Sequence, residues 1–360
     1  MFTNVILFPF LIAFIATLVT TPICINIFKR IGLIDDPRSH KHPAVIHKKP
    51  IPRGGGIPMF IGITLAGIIF LPLTKIVAAL FLAALIALAI GTLDDKFDIS
   101  PYVRFFINIV VAVTVVGSGI GIPFVTNPLG GGTLFLNTIR FSIDFFGNHS
   151  VIIFSDLIAI IWLVWVMNML NWSKGVDGQM PGIVAISAFV IGILSLRFPV
   201  FDQTNLISAK LSFILSGAAL GFLFFNFYPA KIFPGYGATA IYLLLGTVSI
   251  LSSAKLATAI LVMGVPMTDG IFTIIRRILS GKSPFWHDKK HLHHLLLHLK
   301  FGQRQIALFY WTISAILGSL SLLLSSKGKL FAVIMVIIIV GGMLLFLHFL
   351  LRKTNDENNL

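Results

Sequence analysis

Residues 76–98 read IVAALFLAALIALAIGTLDDKFD, an uncharged run from 76 to 93 that ends directly in Asp94, Asp95 and Asp98. At a rise of 1.5 Å per residue the uncharged part makes a helix about 27 Å long, close to the hydrocarbon thickness of a bilayer. Comparable charge-free runs recur at 1–28, 54–74, 178–196, 211–230, 305–326 and 330–351. Weaker candidates are the C-terminal part of 105–139, then 157–173, 238–254 and 256–275, the last interrupted by Asp269. The whole chain is 57% hydrophobic and 11% charged, which excludes a soluble domain of ordinary composition. These runs predict an all-α polytopic integral membrane protein with about eleven transmembrane helices. Residues 1–351 form one transmembrane domain in this reading, and 352–360 a short cytoplasmic tail.

Charge orients the spans. No basic residue precedes the first run, and Lys29 and Arg30 follow it, the reverse of a cleavable signal peptide. The N-terminus is therefore expected outside. Alternating spans then put 29–53, 94–104, 170–178, 226–237, 276–304 and the tail inside, and these segments hold 20 of the 27 Lys and Arg residues. Such a bias is what the positive-inside rule requires. The expected location is the plasma membrane, with the polar face and C-terminus cytoplasmic.

A net charge of +14 raises the question of nucleic acid, but the basic residues flank apolar spans and form no recognised nucleic-acid module. No nucleic acid partner is expected; anionic headgroups and anionic substrates fit better. The single cysteine, Cys24, leaves no intrachain disulfide.

Of 13 acidic residues, six cluster at the inside loops: Asp94, Asp95, Asp98, Asp177, Asp269 and Asp288. An acid near membrane depth needs a partner or a task. On a helix Asp94 and Asp98 share a face while Asp95 points about 100° away, so one carboxylate of the adjacent pair can hold a hard cation and the other take a proton. The same pair also serves as a plain solubilising turn. Further on, NMLNWSKGVDGQMPG puts Asn168 and Asn171 on one helical face before the turn of Gly175, Asp177 and Gly178. In NFYPAKIFPGYGAT, Gly235 and Gly237 free the backbone, Phe233 offers a stacking face and Lys231 a charge for phosphate. PRGGGIP at 52–58 follows a basic run containing Lys49 and opens a span with free amides, an anion-binding feature.

The most polar stretch is RRILSGKSPFWHDKKHLHHLLLHLKFGQR, from 276 to 304. Its His287, His291, His294 and His298 are spaced to share one helical face, predicting an amphipathic interfacial helix. Arg276, Arg277, Lys289, Lys290 and the histidines read as a positive wall for phosphates. No Cys or Glu completes a zinc pattern.

Taken in order, PRGGGI, LDDKFDISP, NMLNWSKGVDG, NFYPAKIFPGYG and the Arg-Arg to His-Leu-His-His segment resemble one family over nearly the whole chain. It is the polyprenyl-phosphate N-acetylhexosamine-1-phosphate transferases, including the undecaprenyl-phosphate N-acetylglucosamine and phospho-N-acetylmuramoyl-pentapeptide enzymes. The span count resembles the N-acetylglucosamine branch more closely. The resemblance implies that a polyprenyl phosphate attacks the sugar-bearing phosphorus of a UDP-N-acetylhexosamine and expels UMP, leaving a lipid-diphospho-sugar for cell-envelope synthesis. It implies that Asp94 and Asp95 serve as base and Mg²⁺ ligands and that Asp177 and Phe233 hold the uracil. His291, His293 and His294 match the histidines near the diphosphate. With them, Asn168, Asn171, Lys231, Lys49 and Arg276 complete the expected substrate-binding set; a homodimer is left open.

The chain departs from the family pattern twice. Lys174 stands where an aspartate is usual, and Tyr236 where the family carries a metal-binding aspartate. Together these shift the local charge by about +3, which weakens the hold on a divalent cation at low effective dielectric. Lys174 is then expected to supply part of the positive charge that Mg²⁺ normally provides. The alternative is a catalytically silent member that binds lipid phosphate or a nucleotide sugar.

Overall fold

The computed structural model describes residues 2–38, 47–127, 132–144, 148–197, 203–251, 256–286 and 288–357. After a π-helical turn, Thr3–Leu7, the helices are α1 (Phe8–Ile31), α2 (Gly56–Phe70), α3 (Lys75–Phe97), α4 (Pro101–Gly117), α5 (Ile153–Trp172), α6 (Gln179–Ser195), α7 (Gln203–Asn226), α8 (Thr239–Ile250), α9 (Leu256–Val262), α10 (Gly264–Leu279), α11 (Leu292–His298), α12 (Gln303–Leu323) and α13 (Ser326–Glu357). Six are long and apolar enough to cross a membrane, or seven if the bent pair α9 and α10 is one span. The helices α2, α4, α6 and α8 are apolar but shorter, so the expected eleven crossings require all four of them as well.

Two expected spans take another form. The C-terminal part of 105–139 is not a helix. α4 ends at Gly117, Gly119 has φ +104, and two antiparallel hairpins follow, pairing Phe124–Thr126 with Thr133–Phe135 and Arg140–Asp144 with Asn148–Ile152. Glycines and Pro123 break the helix there, and the β-branched residues beyond them pair instead. The run 256–275 is also interrupted: α9 and α10 meet at 82° around Met263, just before Gly264 and Pro266.

At the centre lies α8, every residue of which is buried, between α3, α5, α6 and α7. A helix apolar on all sides belongs in such a core. Trp162 of α5 ties it in place by donating to Ser249 Oγ at 2.8 Å. Against α7, α1 packs closely enough that a methyl on Gly217 would sit 2.2 Å from the Phe10 carbonyl. Small residues at such crossings let membrane helices approach through their backbones.

The loop ends carry the site. α3 starts on a Thr74 side chain that accepts from the Val77 N–H, and stops at Asp98, whose φ of 50° turns the chain out of the helix. The segment Pro52–Gly56 is zipped to residues 233–234: Phe233 N–H donates to Pro52 O at 2.8 Å, and Gly55 N–H returns a bond to Phe233 O at 2.9 Å. Gly91 lets α3 meet this loop, since a methyl there would lie 2.6 Å from Gly237 Cα.

Candidate active site

Asp94 and Asp95 leave the last turn of α3 with side chains wholly buried. Asp94 accepts from the Ile99 N–H at 2.9 Å and from Arg104 Nη1 at 3.0 Å. Asp95 accepts from Arg53 Nε at 2.8 Å and from the backbone N–H groups of Tyr236 and Gly237 at 2.7 and 3.3 Å. Each carboxylate is thus neutralised by its own arginine. Arg53 was not singled out from the sequence, where it reads as one more positive charge in a basic run.

Beside the pair, Lys174 donates from Nζ to the Gly235 carbonyl at 2.8 Å. Its ammonium lies 5.6 Å from the centroid of the Tyr236 ring, and the Arg104 guanidinium 5.1 Å from the same ring. Asn108 of α4 donates to the Tyr236 hydroxyl at 3.1 Å. Burial brings the Lys174 ammonium down to about 8, with Arg53 adding to the effect and Asp95 and Asp94 opposing it. Burial likewise pushes the Tyr236 phenol up to about 12, so this side chain carries no charge at neutral pH.

Of these groups Arg53, Arg104, Lys174 and Tyr236 line a cavity of about 450 Å³; Asp94 and Asp95, expected as catalytic residues, do not line it and reach it only through the arginines that hold them. On one side it is lined by Asn168, Asn171, Asp177 and Phe233, as expected from the motifs. Asn171 is fixed by donating to Thr239 Oγ1 at 2.8 Å, and Asp177 accepts from the Ala230 N–H at 2.9 Å. Burial raises the Asp177 carboxyl against the opposing pull of that N–H and of His47. His47 packs edge-on against Phe233, with ring centroids 5.0 Å apart, and also lines the cavity. Lys49 and Lys231 do not line it; both are exposed.

The histidine segment packs against the asparagine turn and lines the same cavity, with the His293 ring on Gly175 and the His291 ring beside Trp172. His287 lies outside the described residues. The helix begins only at Leu292, with His291 as its cap, so the expected amphipathic stripe does not form: His291, His293 and His294 are buried, His298 is exposed, and Leu292 and Leu295 enter the core. The polar cavity draws the histidines inward. His293 and His294 are held neutral, burial pushing His293 well below the usual range and His294 to about 4. They therefore add donors and acceptors, not charge, to the expected positive wall. Arg277 lines the cavity while its neighbour Arg276 does not, and both grip Asp288 at 2.9 to 3.1 Å. Burial favours the neutral form of Asp288, yet Arg277 and Arg276 together hold it at about 2.

These residues do not fit a magnesium ion. A hard cation of this kind usually takes one or two free carboxylates plus substrate phosphates. Here both carboxylates are already engaged by arginine and backbone donors, a neutral phenol and an ammonium adjoin them, and among the described residues no three His, Cys, Asp or Glu side chains converge as a ligand set.

Comparison with known proteins agrees with this arrangement. The family model described as glycosyl transferase family 4 matches residues 77–253. A probable undecaprenyl-phosphate N-acetylglucosaminyl 1-phosphate transferase of Bacillus subtilis is 30% identical over 345 residues, covering 93% of this chain and 89% of that protein. The decaprenyl-phosphate N-acetylglucosaminephosphotransferase of Mycobacterium tuberculosis is 30% identical, covering 91% and 84%. An Escherichia coli undecaprenyl-phosphate alpha-N-acetylglucosaminyl 1-phosphate transferase is 29% identical, covering 83% and 78%. With its asparagine turn and histidine segment gathered on one cavity, the arginines that hold its aspartate pair lining the same cavity, and relatives matched over most of their length, this chain belongs to glycosyl transferase family 4.

Proposed function

We propose that this protein transfers an N-acetylhexosamine 1-phosphate from a UDP-linked sugar to a polyprenyl phosphate in the membrane, releasing UMP. The observation that carries this reading is the meeting of five separate loops around one cavity bordered by apolar helices. One side offers Asp177, Phe233 and Asn168, a stacking face with amide and carboxylate partners suited to uracil. Next to these, Arg277, His291, His293 and His294 are available to the phosphates. Phosphoryl transfer of this kind is mostly positioning and charge neutralisation, which rigid cations and ring nitrogens supply. We further infer eleven crossings with the N-terminus outside, so that the cavity opens to the cytoplasm from a plasma-membrane protein.

A second reading is a silent member that binds the nucleotide sugar or lipid phosphate without turnover, and the arginine-locked aspartates favour it. To separate the two, the detergent-purified protein is given a polyprenyl phosphate and UDP-N-acetylglucosamine or other UDP-N-acetylhexosamines, and UMP is measured. Release of UMP that depends on the lipid supports transfer; none with any donor, alongside retained UDP binding, leaves the binder.

A further inference from the structure

The surroundings of Tyr236 have the wrong sign for a cation. The residue is held by Asn108 at its hydroxyl and by Asp95 at its backbone N–H, and both Lys174 and Arg104 lie over its ring. It cannot swing aside without breaking these contacts. Arg104 takes Asp94 and Arg53 takes Asp95, with Asp35 Oδ2 4.0 Å from Arg53 Nη1, whereas Lys174 pairs with no carboxylate among the described residues and donates to a neutral carbonyl. The other acids near the cavity are engaged or peripheral. Asp35 faces Arg53 and His47, Asp288 is gripped by Arg276 and Arg277, Asp177 accepts a backbone N–H, and Asp98 is exposed. Among the described residues, Lys174 is therefore the one of these three cations with no carboxylate of its own, since Asp94, Asp95 and, at the rim, Asp35 are all engaged by arginine; a phosphate can pair with it, and a divalent metal is repelled by it.

We propose that Asp94 and Asp95 hold no divalent ion in this protein, and that Lys174, flanked by Arg53 and Arg104, receives the diphosphate of a nucleotide sugar directly. The ligand class rests on the transferase reading; the lack of a metal site does not. In the transfer step an oxygen of the lipid phosphate forms a bond to the sugar-bearing phosphorus while the bond to the bridging oxygen breaks. That oxygen leaves on UMP with the electron pair, and the Lys174 ammonium is the fixed charge that meets it.

The test uses the full chain in detergent. Binding of Mn²⁺, a paramagnetic stand-in for Mg²⁺, is followed by electron paramagnetic resonance, and binding of UDP by calorimetry with EDTA or with Mg²⁺. No saturable Mn²⁺ site and equal UDP affinity in both buffers are expected. Lys174→Ala is expected to weaken UDP about tenfold or more, equivalent to about 1.4 kcal/mol. A variant with both Lys174→Asp and Tyr236→Asp, which sets two free carboxylates beside Asp95, should acquire the Mn²⁺ site. Saturable Mn²⁺ binding to the unaltered protein that Mg²⁺ displaces, or UDP binding that collapses in EDTA, overturns the proposal, and these arms decide it even if the double variant does not fold. UDP binding in neither buffer overturns the ligand class. Failure to release UMP while metal-free UDP binding persists sinks the transferase reading alone.

Discussion

Asp269 of α10 and His291 meet inside the protein, with Asp269 Oδ2 2.8 Å from His291 Nδ1 and Asp269 Oδ1 accepting the Leu292 N–H at 3.0 Å. Thr273 Oγ1 lies 3.3 Å from the same ring nitrogen. A carboxylate can only accept, so the pair keeps the proton on Nδ1 and leaves Nε2, at the opposite edge of a ring that lines the cavity, as the acceptor. With Asp94 and Asp95 locked by arginines, His291 is the group best set to take a proton. Asp269→Asn preserves shape, but its amide donates toward Nδ1 and moves the proton to Nε2. A fall in kcat of about 100-fold is expected, with little change in KM for the nucleotide sugar. Unchanged kcat in a folded variant would remove His291 from proton transfer.

The ion pair between Arg53 and Asp95 spans two distant segments, and the Asp95 side chain has no exposed surface. Breaking such a pair from one side strands a buried charge, which costs about 3–5 kcal/mol. Arg53→Ala is therefore expected to lower the thermal midpoint markedly. Arg53→Ala with Asp95→Asn should recover part of the loss, because the remaining group is neutral and still accepts the Tyr236 N–H. Thermal unfolding in detergent checks this; a double variant no more stable than the single one contradicts it.

Much of this site was legible in the sequence because membrane spans and loop motifs are local signals. The run before Asp94 specifies a helix by length and apolarity, and Asp177, Phe233, Asn168 and Asn171 reach the cavity as their motifs implied. What escaped depends on packing. Lys49 and Lys231 have a suitable charge, but an interface offers water and lipid headgroups as well, and both point away. Arg277 enters where Arg276 was expected, because adjacent helical residues diverge by about 100°; both reach Asp288, but Arg277 is the buried one and also donates to the Pro284 carbonyl. The hairpin of Phe124–Thr126 with Thr133–Phe135 was hidden by composition, since its Phe, Val and Leu residues are as apolar as a span.

Gly91 lies one turn before Asp94, and its missing side chain is the space that Gly237 occupies. Added methyl density would meet Gly237 Cα and N at 2.6 Å, both backbone atoms that cannot rotate away. Gly91→Ala must then displace the loop carrying Gly235 and Tyr236, and with it the acceptor of Lys174. UDP affinity is expected to fall about tenfold or more, the equivalent of at least about 1.4 kcal/mol. Equal affinity by calorimetry would show that the loop does not need this approach.

Lys174 gives the site a pH dependence with opposite signs for binding and folding. Its ammonium, at about 8 in the folded protein, faces Arg53, Arg104, Asp94 and Asp95, and the uncharged Tyr236 ring. Above that pH the free site loses its unpaired cation, so affinity for UDP should fall as pH rises from 8 toward 10. Lys174→Arg, which stays protonated, should flatten that profile. Stability runs the other way. The unfolded lysine titrates near 10.5, so between about 8 and 10.5 the unfolded chain binds more protons and this group makes the folded state more stable as pH rises. Below about 8 both states are charged and the contribution is flat. Calorimetry of UDP binding and thermal unfolding of the ligand-free protein, each run from pH 7 to 10, should therefore diverge in the native chain and cease to diverge in Lys174→Arg.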